Sequence, residues 1–418
     1  MMKSMRFDAE RRAIEHYVLD NVDKVLKQPR SFIHHPFIDP GSVYDGNVWD
    51  WDTYWSVYGL LGMADVLPEE TLGKVVEHAK GNVLNFLDHQ LEDGYIPMMI
   101  EVADWPEPYL NMMRKRGVRM NMHKPFLCGQ IALISRFTGD WNWAAGFAEQ
   151  LEKYFECYDR EFFNDNCGLY VWIDDIMIGG DNDPATFGRP KSSTANIYLN
   201  SFMAEELARM AEFLTATGRQ DRAARYLENR DRLIEAVQAD CWDKRDQFFY
   251  SVDVDIKTRR FDWLHQGLGV FWKTLPIKIR VWSGFIPMWA GFATDEQAAA
   301  LARHMFDPAT FASDYGICTM AKDEKMFDLS ATNNPSNWLG PIWLVANYVA
   351  FKGLMNYGYR GEAEQICARS ARLLADDLAN TGCLHEYYDP FTGKPVMNGG
   401  FINWNILVLN MIRELEKA

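Results

Sequence analysis

The sequence predicts an all-α fold, the (α/α)6 barrel. In this fold six hairpins, each made of an outer and an inner helix, close into a ring. Three observations predict it: twelve segments with helical periodicity, alternation between amphipathic and wholly apolar segments, and long connections before most of the apolar ones. An open α-solenoid is the alternative, but solenoids show a sequence repeat and uniformly short turns, and we find neither. One ring also accounts for the whole chain, 1–418, as a single domain.

The twelve helical segments are bounded by 3.6-residue periodicity and by stop signals. Odd-numbered segments are amphipathic and charged, whereas even-numbered ones are apolar on nearly every side. A helix that is apolar all round is buried all round, so the even-numbered segments should form the inner layer. Strand-like alternation is brief, as at 247–256. The predicted helices are 9–28, 52–65, 68–91, 123–139, 140–165, 195–217, 219–241, 283–293, 294–306, 336–358, 361–380 and 401–417.

Connection lengths distinguish the two faces of the predicted ring. Connections that leave inner helices are very short, whereas most of those that enter them are long. Long loops inside a compact domain usually carry function, and here all of them would lie on one face, at the N-termini of the inner helices. The predicted loops are 29–51, 92–122, 166–194, 242–282, 307–335 and 381–400.

Charge and composition exclude several classes of partner. The formal net charge of −15 opposes binding to nucleic acid, which requires a basic surface, and to anionic membranes. We expect no signal peptide, because 1–12 lacks an apolar core, and no apolar run approaches the ~18 residues of a membrane span. Seven cysteines without CxxC spacing predict reduced thiols in a cytoplasmic protein and no zinc site.

The segment 49–55, WDWDTYW, combines three tryptophans with two aspartates. Trp49 and Trp51 end a long loop, and Asp52 begins the second predicted helix. Indole faces can stack on the C–H groups of a pyranose, and carboxylates can accept hydrogen bonds from its hydroxyls, so the segment suits a sugar. Two structural interpretations remain open: Asp52 as a helix N-cap, which is compatible with sugar binding, and the tryptophans as plugs in the core.

Two other long loops carry a candidate acid and base. Asp181 lies in an aspartate-rich, glycine-containing stretch, 171–184, whose spacing is not that of an EF-hand calcium loop; a turn at Asp183 is the structural alternative. Glu386 lies in 384–395, just before a tight turn, and a solvent-exposed glutamate is its alternative. Paired carboxylates on the rim of an aromatic pocket are what acid/base cleavage of an acetal requires.

Four motifs, in order along most of the chain, resemble those of glycoside hydrolase family 63, to which trehalases are related. They are WDWDTYW, GGDNDP, NWLGPIW, and HEYYDPFTG followed by FINW. The resemblance implies an (α/α)6 glycosidase with Asp181 as general acid and Glu386 as general base, and with neither a cofactor nor a metal ion. It also implies that the sugar is bound by Trp49, Trp51, Asp52, Asn182, Trp338, Trp343 and Trp404.

Departures from the family pattern weaken the support for one class of substrate. Ala185 stands where members of the family often have arginine, and Asn337 and Leu339 stand where tyrosine and arginine are expected. Since the last two positions help to hold glycerate-type substrates, a glucosylglycerate or mannosylglycerate is less well supported than the hydrolytic chemistry. Candidates for holding an acidic leaving group are Arg114, Arg116, Arg119 and Arg189.

The sequence therefore predicts an inverting α-glycosidase that hydrolyses a small α-glucoside or related glycoside. Inversion is expected because Asp181 and Glu386 come from loops on opposite sides of the ring, which leaves room for a water. A sugar epimerase of the N-acylglucosamine 2-epimerase type is an alternative that would need positioned histidines, and among the nine only His385 adjoins a motif carboxylate. A non-catalytic sugar-binding barrel is another. The sequence does not identify the leaving group or the linkage, and it does not distinguish a glucoside from a mannoside. The oligomeric state also stays open, and a homo-oligomer is one possibility.

Overall fold

A computed structural model describes residues 7–256, 273–330 and 336–417, so parts of the predicted loops 242–282 and 307–335 lie outside the described residues. The helices in these ranges are α1 (Asp8–Val25), α2 (Asp50–Leu61), α3 (Glu69–Asp88), α4 (Tyr109–Lys115), α5 (Leu127–Thr138), α6 (Ala148–Glu161), α7 (Ile197–Ala216), α8 (Gln220–Asp240), α9 (Ile286–Trp289), α10 (Asp295–Phe306), α11 (Leu344–Asn356), α12 (Arg360–Thr381) and α13 (Leu407–Lys417). Four 3-10 helices accompany them in the same ranges: Ser42–Tyr44, Asn142–Phe147, Trp282–Phe285 and Asn403–Ile406.

The strands are short and all their pairings are antiparallel. Within the described ranges they make seven small sheets, with the pairs β1–β2, β3–β4, β5–β6, β8–β9, β12–β13 and β14–β15 and the three-stranded order β11-β10-β7. The strands are β1 (Leu26–Lys27), β2 (Phe37–Ile38), β3 (Val48–Trp49), β4 (Met99–Ile100), β5 (Phe163–Asn164), β6 (Leu169–Tyr170), β7 (Thr194–Ala195), β8 (Trp242–Asp243), β9 (Phe248–Phe249), β10 (Val252–Asp253), β11 (Leu275–Pro276), β12 (Ala312–Ser313), β13 (Gly316–Ile317), β14 (Tyr387–Tyr388) and β15 (Pro395–Met397).

Six helical hairpins form the predicted ring: α1/α2, α3/α5, α6/α7, α8/α9, α10/α11 and α12/α13. Burial separates the two layers as the composition predicts. Ten of the 13 residues of inner helix α11 are buried, against four of the 21 residues of outer helix α8. Among the described helices, none has both the length and the apolar character to cross a membrane. The apolar inner helices are thus buried by the ring around them.

Contacts between the first and last hairpins close the ring. Ser56 on α2 donates a hydrogen bond of 2.9 Å to the Oδ1 atom of Asn403. Gly59 packs so closely that a Cβ atom there would lie 2.2 Å from the side chain of Ile406. Because any larger residue at position 59 would collide with that side chain, the glycine permits the close approach of α2 to the final segment. The (α/α)6 prediction is confirmed.

Several boundaries differ from the prediction for local reasons. The inner helix predicted at 283–293 is a 3-10 turn followed by the single-turn helix α9, which carries Pro287 in its first turn and ends before Gly291, a residue with φ of 75°. Helix α4 lies inside the predicted loop 92–122. The predicted strand-like alternation at 247–256 is confirmed by β9 and β10.

Candidate active site

A cavity of about 410 Å³ opens at the N-terminal ends of the inner helices, a volume within the ~300–1,000 Å³ range of small-molecule pockets. Its lining residues precede or begin the inner helices α2, α5, α7, α11 and α13. Five of them are carboxylates and one is a lysine. The lining consists of Tyr44, Trp49, Asp50, Trp51, Asp52, Lys124, Asp175, Ile176, Met177, Gly179, Asp181, Phe187, Ser336, Glu386 and Trp404.

Glu386 is held by hydrogen bonds to both carboxylate oxygens. Its side chain is buried, with an exposed fraction of 2% for the residue. The Tyr44 hydroxyl donates to Oε1 at 2.9 Å, and the Asn398 amide donates to Oε2. The pKa of Glu386 is raised to about 7, chiefly by burial and to a smaller extent by the negative charge of Asp181, while the two hydrogen bonds oppose the rise. A fixed carboxyl group that titrates near neutrality suits a general base.

Asp181 lines the same cavity, at the end of a glycine turn in the loop before α7. Gly179 adopts φ of +97°, and a Cβ atom there would lie 2.8 Å from the Tyr198 hydroxyl, so this position requires glycine. Asp183 has the structural role considered from the sequence. It is buried and accepts a hydrogen bond of 3.2 Å from Asn196, which ties the turn to the start of α7. The loop that presents Asp181 is therefore braced on both sides.

The interpretation of Asp52 as an N-cap is wrong. Strand β3 extends as far as Trp49, and the backbone N–H of Asp50 donates to the carbonyl of Met98 at 3.1 Å. Helix α2 consequently begins at Asp50, with Trp49 in the cap position and Asp52 as the third helical residue. The extended partner strand, which the local sequence does not show, moves the start of the helix two residues earlier than predicted.

Asp52 and Asp50 are two further carboxylates of the cavity, each with its own partner. Asp52 accepts a hydrogen bond of 2.5 Å from Asn403, and burial, reinforced by the charge of Glu386, raises its pKa well above the usual range. Asp50 forms an ion pair of 2.7 Å with Lys124, and both side chains are almost fully buried. Since Lys124 also lowers the pKa of Asp52, this pair partly balances the negative charge of the cavity.

The tryptophans divide between the cavity wall and the layer behind it. Trp49, Trp51 and Trp404 line the cavity. Trp51 also packs edge-on against Trp55 at 5.5 Å, so it belongs to the core and to the wall at once. The indole Nε1 atoms of Trp49 and Trp51 are buried and have no hydrogen-bond partner among the described residues.

Trp338, Trp343 and Asn182 lie behind this wall. Trp338 stacks on Trp343 with ring centroids 4.0 Å apart, and Trp343 stacks in turn on Tyr387, the residue after Glu386. The buried Asn182 side chain accepts a hydrogen bond of 2.6 Å from the Trp338 backbone. These residues border the segments that carry Asp181 and Glu386 and are not among the cavity-lining residues.

Tyr44, Asn398 and Lys124 are site residues that the sequence reasoning missed. Tyr44 is 342 residues from its partner Glu386, and no local pattern connects the two. Asn398 lies 12 residues beyond Glu386, in the last predicted loop. The only available signal is that each residue lies within or next to one of the long loops on the functional face.

Comparison with known proteins confirms the family resemblance. Residues 46–404 match the family described as the mannosylglycerate hydrolase MGH1-like glycoside hydrolase domain. A probable mannosyl-oligosaccharide glucosidase of Schizosaccharomyces pombe is 26% identical over 64% of this chain and 33% of its own length. The mannosylglycerate hydrolase MGH1 of Selaginella moellendorffii is 34% identical over 29% of this chain and 22% of its own length. The chain thus matches a third or less of each of these relatives.

Among solved structures, the GH63 mannosylglycerate hydrolase of Thermus thermophilus in complex with glucose superimposes with a TM-score of 0.67, at 17% identity over 97% of this chain and 100% of that one. The same enzyme in complex with Tris and D-glycerate gives a TM-score of 0.65. At this identity the likeness establishes the fold. Because the family match spans most of the sequence, this chain belongs to the MGH1-like glycoside hydrolase domain family.

Proposed function

We propose that this protein is an inverting α-glycosidase that hydrolyses a small α-glucoside or related glycoside by acid/base catalysis. The observation that carries the proposal is that Asp181 and Glu386, from loops before α7 and α13, line one cavity together with tryptophan rings. That combination supplies a proton donor, a proton acceptor and apolar faces for a sugar ring. Relatives named as glycosidases support the same chemistry.

In the proposed reaction, Asp181 protonates the glycosidic oxygen as the bond to the anomeric carbon breaks. Glu386 removes a proton from a water, whose oxygen attacks that carbon from the opposite face of the ring. Tyr44 and Asn398 hold the Glu386 carboxylate in position for the water. Asp52 binds sugar hydroxyls, and the rings of Trp49 and Trp51 offer apolar faces to the sugar. A small sugar fits the cavity volume and is the kind of ligand that the Thermus thermophilus relative holds.

The carboxylates of the cavity are electrostatically coupled, and the proposed reaction sets a requirement on two of them. Glu386 must be ionised while Asp181 is protonated. The charges of Asp181 and Glu386 each raise the pKa of Asp52, and Asp181 also raises that of Glu386. Since neighbouring carboxylates cannot all ionise easily, the cluster retains a proton near neutral pH.

Neither alternative function gains support from the cavity. An epimerase would need histidine bases, and no histidine is among the described lining residues. His385 instead pairs with Asp377 at 2.9 Å. A binding protein would not need the acid/base pair.

We also propose a cytoplasmic location, because all seven cysteines are free thiols.

The test is a panel of α-linked disaccharides, α-glucosides, α-mannosides and glycosylglycerates, assayed for free hexose. Proton NMR at early times should show the β-anomer released from an α-glucoside. Asp181→Asn should abolish most of the turnover while binding of the substrate persists. Initial release of the α-anomer would contradict inversion, and binding without hydrolysis across the panel would contradict the enzymatic assignment.

A further inference from the structure

The loop that carries Asp181 also forms an apolar mouth to the cavity. Ile176 and Phe187 line the cavity on either side of Asp181 in the chain, and they are 57% and 53% exposed. Met177, also in the lining, adopts φ of 55°, which is unusual for a residue with a side chain. Large apolar side chains held at the rim of a cavity that also contains carboxylates are candidates for a ligand contact.

Hydrogen bonds fix the two sides of this mouth relative to each other. The backbone N–H of Gly188 donates to the Asp175 carboxylate at 2.8 Å and so links the segment carrying Ile176 to the one carrying Phe187. The backbone N–H of Phe187 donates to the carbonyl of Asp183 at 2.7 Å. The apolar surface is therefore built before any ligand arrives, which lowers the entropic cost of binding.

The role of Asp181 as general acid indicates which part of a substrate would contact the apolar mouth. A general acid must lie beside the oxygen that leaves with the aglycone. Residues of the same short loop, exposed at the rim, are then closest to the aglycone. Trp51 and Trp404 in the cavity wall are buried instead, as expected of the part that would hold the sugar that is cleaved.

The charges around the cavity disfavour an anionic aglycone. Lys124, the one cation in the described lining, is already paired with Asp50. The four arginines considered from the sequence do not line the cavity. Three of them bind protein groups: Arg114 binds Asp93 and Glu161, Arg119 binds Glu161, and Arg189 binds Asp253. The remaining one, Arg116, is exposed.

We propose that Ile176, Met177 and Phe187 form a leaving-group subsite for a neutral aglycone with an apolar face. An aliphatic chain or the C–H face of a second sugar has this chemistry, and a glycerate carboxylate does not. This inference rests on the proposed glycosidase function, because it takes Asp181 to be the acid beside the leaving group.

The experiment compares kcat/KM for methyl α-glucoside, hexyl α-glucoside and glucosylglycerate, with the matching α-mannosides in parallel. The wild-type protein should prefer the hexyl over the methyl glycoside by about tenfold or more, as expected for methylenes in an apolar site, and should disfavour the glycerate. Ile176→Ala combined with Phe187→Ala should bring the hexyl-to-methyl ratio close to one. The matched control combines Leu227→Ala with Phe137→Ala, exposed residues outside the cavity lining, and should keep the wild-type ratio.

A binding assay separates failure of the subsite from failure of the proposed function. Affinities of the methyl and hexyl glycosides are measured for Glu386→Gln protein, with and without the two mouth substitutions. If no glycoside is hydrolysed but the mouth substitutions remove a binding preference for hexyl, the glycosidase proposal and the leaving-group role both fall, and the mouth is an apolar ligand-binding surface only. Hydrolysis without a hexyl preference, or with a preference for glycerate, overturns the subsite alone. Absence of both turnover and selective binding overturns both.

Discussion

The cavity around Glu386 and the wall between α5 and α7 each contain a buried glutamate, but the partners differ. Glu206 on α7 accepts hydrogen bonds from the backbone N–H groups of Cys128 and Gly129, at 2.6 and 2.9 Å, and so caps the start of α5. Glu386 is instead held by side chains, Tyr44 and Asn398. Burial raises the pKa of both glutamates to about 7.

A raised pKa therefore does not distinguish a catalytic group from a structural one here. Glu206 faces backbone donors that cannot move, whereas Glu386 faces a cavity that admits ligand and water. The surroundings of a buried carboxylate therefore indicate its role better than the size of its pKa shift does. The predictions that follow test this distinction.

Activity should separate the two glutamates most clearly. Glu386→Gln should lower kcat/KM by about 10²–10⁴, the usual contribution of one positioned acid or base. Glu206→Gln keeps the shape of the side chain and lies outside the cavity lining, so it should retain most of the activity. Steady-state kinetics on the best substrate of the panel gives both numbers. Equal losses in the two variants would remove the distinction.

Stability should separate them in the opposite direction. Glu206→Ala leaves two buried backbone N–H groups without an acceptor, at about 1–3 kcal/mol each. Glu386→Ala should cost clearly less, because water can enter the cavity and bind Tyr44 and Asn398. Urea denaturation of the two variants measures the difference. A Glu386→Ala protein that is as unstable as Glu206→Ala would show that Glu386 is also structural.

Asp52 should behave like Glu386. Asp52→Asn replaces one carboxyl oxygen of the proposed sugar site with an amide nitrogen, which cannot accept a hydrogen bond, and we expect activity to fall by about 10². The asparagine oxygen can still accept from Asn403, so stability should change by less than ~1 kcal/mol. Kinetics and thermal melts on one preparation decide the matter. A variant that melts early but keeps full activity would make Asp52 a structural residue.

The dependence of kcat/KM on pH is the smallest of the expected effects. Glu386 must be ionised to accept a proton, and its pKa is raised to about 7. Below that pH its base form falls tenfold per unit, so kcat/KM should decrease with that slope as pH is lowered. Glu206→Gln should leave this acid limb unchanged. Persistence of the same limb in the residual activity of Glu386→Gln would assign it to another group.

Most of the fold could be predicted from the sequence because it depends on local information. The apolar character of α11 predicts a place in the inner layer, and the many charged residues of α8 predict a place in the outer layer. Helix ends were less predictable, since Pro287 and the pairing of β3 with β4 act through local geometry and through distant backbone. The pairing of β3 with β4 has no signature within a sequence window.

The candidate site was predictable only where motifs mark it. Asp181, Glu386 and the tryptophan segment stand in recognisable stretches, and the structure brings them to one cavity. The contacts that orient these side chains are not visible in those stretches. Tyr44 reaches Glu386 across 342 residues, and Asn403 reaches Asp52 across 351, so only the closed ring creates these contacts.

Those long-range contacts bear on how the protein acquires its site during synthesis. Residues from the first hairpin and from the segment before the last helix bind each other across the cavity, as Tyr44 does with Glu386 and Asp52 with Asn403. A nascent chain that has emerged only as far as α12 lacks Glu386, Asn403 and Trp404. Nearly the whole barrel must therefore emerge from the ribosome before the complete cavity can exist, and until then Asp52 on α2 lacks its partner Asn403.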